Sequence, residues 1–169
     1  MTGPRVLLVG MMGVGKSTVG RIVASRLSWP YVDNDELLHA ETGLYGADLL
    51  ERDGERALRD AEARVLAEIL TREPPLVAGV AAGVVLRSED RTRMKDHAFV
   101  VWLRATVETL VRRIGDDHKR AWLQPDPAAA LRSLATGREA LYAEVADLTV
   151  DVDDLTAEAV AEQIVTPLR

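Results

Sequence analysis

Residues 10–18 read GMMGVGKST, and this stretch decides the fold. Gly10, Gly15, Lys16 and Ser17 satisfy the pattern G-x-x-x-x-G-K-[ST]. Its glycines let backbone amides face an anion, its lysine reaches terminal phosphates, and its hydroxyl meets magnesium. Immediately before it, residues 5–9 (RVLLV) form the short apolar run of a strand covered on both faces. Immediately after it, Val19, Ile22, Val23 and Leu27 recur at helical spacing from Lys16 to Leu27. The loop therefore stands between a strand and a helix, the setting in which the helix N-terminus adds its positive end to the anion site.

Working outward, the same alternation continues. Trp29-Pro30 ends the first helix, YVD at 31–33 reads as a second short strand, and a helix beginning at Asp35–His39 closes near Gly43. From Ala47 to Leu70 the apolar positions favour helix, interrupted near Asp53-Gly54. LVAGV at 76–80 and FVVWL at 99–103 are further strands without polar alternation, and DLTVDV at 147–152 is a last one. Glu108–Ile114, Pro127–Val145 and Ala157–Ile164 are helical. The expectation is one α/β domain over residues 1–169, a three-layer α/β/α sandwich with a central five-stranded parallel sheet.

Composition bounds the partners. Twenty-seven acidic residues against 21 Lys and Arg give a net charge of −6, which opposes binding to nucleic acid through a broad basic surface. The absence of cysteine excludes disulfides and thiolate metal sites. No apolar run approaches the length of a membrane span, and the N-terminus lacks the order of a secretion signal. A cytoplasmic monomer acting on a small molecule, without nucleic acid or membrane partners, is expected.

Two groups of polar residues stand near the expected strand ends. Asp33 and Asp35 follow the second strand, where open parallel sheets gather ligands. One carboxylate could serve magnesium and the other an acceptor hydroxyl, or the pair could simply cap an acidic helix start. Arg59 precedes Glu62 by three residues, so that the carboxylate can hold the guanidinium. Arg138 lies on a later helix, and Arg113 and Arg120 bracket IGDDHK. Such arginines suit an anionic substrate and the charge that develops in phosphoryl transfer. His39, His97 and His118 show no metal-ligand spacing, and Trp29, Trp102 and Trp122 read as packing residues, with cover over a bound substrate as the alternative for Trp122.

The ordered set RVLLVGMMGVGKSTVGR, DND, TG at 42–43, DGERALRDAE at 53–62, VVWL at 100–103, VRRIGDDHKR at 111–120 and GREALYAEVADLTVD at 137–151 resembles the shikimate kinase family over nearly the whole chain. The resemblance implies a P-loop NTPase fold with a lid at about 115–125 and a substrate-binding region at about 34–62. It also implies transfer of the ATP γ-phosphate to shikimate. Gly13, Val14, Gly15, Lys16, Ser17 and Thr18 would hold ATP, with Arg113 against adenine. Ser17 and Asp33 would organise Mg2+. Asp35 would meet the accepting hydroxyl, Arg59 and Arg138 the substrate carboxylate, and Ala82 and Gly83 the substrate itself. Lys16, Asp35 and Arg120 would be catalytic, Arg120 approaching the phosphates as the lid closes.

Departures from the family pattern bear on the acceptor. Ala81-Ala82-Gly83 stands where the family carries three glycines, Leu50 and Leu58 stand where it sets phenylalanines, and Arg120-Ala121 replaces Arg-Pro. A methyl group in place of a glycine hydrogen strains any backbone that needs positive φ. Two other readings stay open on these residues: a kinase for another small polyol, cyclitol or sugar acid such as gluconate, and a nucleotide-binding regulatory module with impaired turnover.

Overall fold

Strands without polar alternation must be covered on both faces, and a parallel sheet between two helical layers does this. The computed structural model of the chain describes residues 3–115 and 123–169. Its strands are β1 (Arg5–Val9), β2 (Tyr31–Asp33), β3 (Leu76–Gly79), β4 (Phe99–Arg104) and β5 (Leu148–Asp151). They form one sheet in the order β2-β3-β1-β4-β5, with every pairing parallel. Val6, Leu7, Leu8 and Val9 on the central strand are fully buried, as are Val100, Val101 and Leu103 on β4.

Register positions the site. Leu8 pairs with Gly79, and Gly79 with Asp33. The C-terminal ends of β1, β3 and β2 therefore emerge side by side, and the segments that follow them share one edge of the sheet. In an open α/β sheet this is where ligands bind.

Among the described residues seven α-helices surround the sheet: α1 (Lys16–Leu27), α2 (Asn34–Thr42), α3 (Gly46–Thr71), α4 (Ser88–His97), α5 (Val107–Ile114), α6 (Pro127–Val145) and α7 (Ala157–Val165). Helix α1 packs on α7, whereas α6 packs on α4 and α5. The expected interruption of α3 is a kink at Gly54, where φ is 87° and ψ 174°. Helix α4 carries no periodic apolar signal: SEDRTRMKDH has a single apolar residue, Met94, which is fully buried. Glu89 and Asp90 in its first turn and Lys95 and His97 in its last match the helix dipole, so end charges and one anchor hold it. Most of the expected lid, Arg120 and Trp122 included, lies outside the described residues.

Candidate active site

The phosphate loop begins where β1 ends. Gly15 has φ 101°, a left-handed conformation open to glycine, and the chain enters α1 directly from it. Lys16 Nζ donates to the carbonyls of Gly10 and Met11 at 2.8 and 3.1 Å, folding its ammonium back over the loop. Arg113, from the last turn of α5, donates to the Val14 carbonyl at 2.8 Å and to that of Val152 at 3.4 Å. It thus joins the loop to the segment after β5.

Asp33 caps α2 and at the same time reaches back to the phosphate loop. Its Oδ1 accepts the Asp35 amide at 2.9 Å, capping α2, while Oδ2 accepts the Ser17 hydroxyl at 2.9 Å and the Tyr31 hydroxyl at 3.0 Å. Being the cap fixes the carboxylate against the first turn of α1. Ser17 Oγ and Asp33 Oδ2 are hard oxygen donors, and among the described residues no group of three or more His, Cys, Asp or Glu forms a metal cage. One hydroxyl and one carboxylate fit magnesium, which keeps waters and takes further oxygens from substrate phosphates.

A cleft of about 290 Å³ joins these parts. Gly13, Gly15, Lys16, Ser17 and Thr18 line one side, Asp33, Asn34 and Asp35 another, and Gly79 to Ala82 a third. The segments that β-sheet register brings side by side thus enclose one space.

Behind the third wall lies a buried cationic group. Arg59 donates to Glu62 at 2.7 Å, within α3, and is 3.6 Å from the more exposed Glu55. A Cβ built on Gly83 would fall 2.1 Å from Arg59 Nη1, so the guanidinium lies directly on the Gly83 backbone. Arg138 is only 4 % exposed, and its Nη1, like Arg59 Nε, is a buried donor without an acceptor among the described residues. Burial lifts the Glu62 carboxyl above its ordinary range, against the pull of Arg59 and Arg138, and the field of Asp35 adds to the rise. Glu62 therefore stands in the field of Arg59, Arg138 and Asp35, although the four come from three helices. Tyr142, one turn beyond Arg138, donates to the Ala82 carbonyl at 2.6 Å, and burial pushes its pKa up to about 12, so the phenol stays a donor.

A family model described as shikimate kinase matches residues 12–169. The chain belongs to the shikimate kinase family. It is 43 % identical to a shikimate kinase of Vibrio campbellii over 97 % of this chain and 95 % of that relative. A shikimate kinase of Bradyrhizobium diazoefficiens is 39 % identical over 97 % of this chain and 79 % of its own length. Among solved structures, shikimate kinase from Acinetobacter baumannii in complex with shikimate has a TM-score of 0.93 at 34 % identity, covering 98 % of this chain and 93 % of that one. A gluconokinase from Sinorhizobium meliloti, at TM-score 0.69 and 20 % identity, shares the fold.

Against the family pattern, the two alanines are accommodated without backbone strain. Among the described residues Ser28 is the non-glycine with positive φ, so neither Ala81 nor Ala82 needs the left-handed region. The close approach falls instead on Gly83, the glycine that this chain retains. Leu58 is buried in the core and Leu50 is half-buried on α3. Tyr31 and Tyr142 escaped the sequence reading. Tyr31 was open to detection, since residues two apart on a strand share a face and Asp33 was already a candidate.

Proposed function

We propose that the chain transfers the γ-phosphoryl group of ATP to the 3-hydroxyl of shikimate in the cleft between the phosphate loop and Asp35. The observation that carries this reading is the shared cleft: phosphate-loop residues and Asp35 face one space whose third wall ends at Ala82, next to the Gly83 backbone on which Arg59 lies.

In this reading the amides of Gly13 to Thr18 cradle the triphosphate, and Lys16 leaves the carbonyls of Gly10 and Met11 to meet its terminal phosphates. Ser17 and Asp33 hold magnesium, which when bound neutralises phosphate charge. Arg113, fixed on the Val14 carbonyl, borders the adenine. Arg59 and Arg138 bind the acceptor carboxylate through the buried donors that lack acceptors. Ala82 and Gly83 bound the ring. Asp35, at the start of α2, orients the accepting hydroxyl and takes its proton as the phosphoryl group arrives. Arg120 approaches the phosphates from the lid. Positioning and electrostatics supply most of the rate, since phosphoryl transfer asks little covalent chemistry of the protein.

The same proposal takes the protein to work as a cytoplasmic monomer; among the described residues no helix is long and apolar enough to cross a membrane. The test is ADP release with shikimate against gluconate, quinate and cyclitols. Turnover with shikimate at least about 100-fold above the others supports the assignment, because site groups built for one polar substrate reject analogues strongly. Equal turnover with gluconate overturns it.

A further inference from the structure

Asp33 is held by more than its role as a helix cap. Tyr31 stands two residues before it on β2, and its hydroxyl donates to Asp33 Oδ2, the same oxygen that accepts from Ser17. Oδ1 is engaged separately by the Asp35 amide. A carboxylate offers about four lone-pair positions, and these three bonds determine both the rotation and the tilt of this one.

The ring is seated to deliver that hydroxyl. A Cβ on Gly20 of α1 would meet Tyr31 Cε2 at 2.5 Å, and one on Gly79 of β3 would meet the phenol oxygen at 2.9 Å. Side chains missing from both neighbours make the slot, and the Arg21 guanidinium lies 4.8 Å over the ring. The phenol bond does not depend on nucleotide or cation, because it is made within β2.

We infer that Tyr31 is a positioning residue that holds Asp33 in its magnesium-binding orientation. Whatever Ser17 does as its oxygen serves the cation, the Tyr31 hydroxyl and the Asp35 amide hold the carboxylate from outside the phosphate loop. The gain is preorganisation: the carboxylate needs no ordering as the nucleotide arrives. The inference rests on Ser17 and Asp33 being the magnesium ligands proposed above.

Calorimetric titration of the full chain with ADP, with and without Mg2+ at constant ionic strength, tests it. Removing an outer-shell partner of a metal ligand weakens metal binding about tenfold or more. Tyr31→Phe keeps the ring in its slot, so the factor by which Mg2+ strengthens ADP binding is expected to fall by about tenfold, with metal-free ADP affinity and the KM for shikimate within about twofold of wild type. In an Asp33→Asn background the same substitution has no further effect on that factor, since the two residues act as a unit. An unchanged magnesium factor in Tyr31→Phe overturns the inference while leaving the metal site standing. A parallel loss of metal-free ADP and shikimate binding overturns it in favour of a purely structural tyrosine. A wild-type protein whose ADP affinity ignores Mg2+ removes the metal site and the inference together.

Discussion

Gly83 and Arg59 are in direct contact, the backbone of one serving as the floor for the guanidinium of the other. A side chain at 83 would collide with Nη1 and Cζ, at 2.1 and 2.5 Å from the added Cβ. Those atoms are the far end of a flexible side chain, so Gly83→Ala moves Arg59 and leaves the fold intact. The expected outcome is a KM for shikimate raised about tenfold, the loss of one charge-assisted hydrogen bond, with the KM for ATP unchanged. Steady-state kinetics with each substrate varied separately checks this.

Replacing Ala82 by glycine has the opposite balance. The backbone there is ordinary, so the family's glycine offers no relief of strain and only adds freedom to the unfolded chain. Ala82→Gly is expected to lose about 0.5–1 kcal/mol of stability, read by urea denaturation, while turnover stays close to wild type.

Arg138 is a buried cation with an unused donor. A buried cation with no carboxylate bonded to it among the described residues carries a desolvation cost that nothing repays. Arg138→Met should therefore keep or raise the melting temperature while raising the KM for shikimate roughly 10- to 100-fold. A variant that lost stability and substrate affinity together would make Arg138 a structural residue.

Glu62 gives the site a pH signature. Its carboxyl lies above the ordinary value of 4.5 because burial outweighs the attraction of Arg59. The unfolded chain thus releases this proton first, and the stabilising contribution, full below about 4.5, is lost as pH rises through the higher folded value. Glu62→Gln has no such titration. Denaturation of both proteins across pH should show wild type losing ground to the variant as pH rises above 4.5, exposed carboxylates being common to both.

Much of this was legible in the chain, for physical reasons that differ by element. The strands were plain because RVLLV, LVAG and FVVWL are buried on both faces and lack polar interruption. The Arg59–Glu62 pair was readable because three residues is one helical turn. Helix α4 was not, since end charges and a lone Met94 leave no periodic trace. Asp33 could be read as cap or ligand holder; it is the cap, and its second oxygen meets Ser17. The bond from Tyr142 to Ala82 joins positions 60 residues apart, and nothing local announces such a contact.

The central claim is that Asp35, Arg59 and Arg138 act on one acceptor beside the triphosphate. Phosphorus NMR of a reaction holding equimolar ATP and shikimate tests it most directly. The account predicts one phosphomonoester on the 3-hydroxyl, formed in step with ADP, and a rate at least about 100-fold lower in Asp35→Asn. Inorganic phosphate as the main product, or an Asp35→Asn rate equal to wild type, would contradict it.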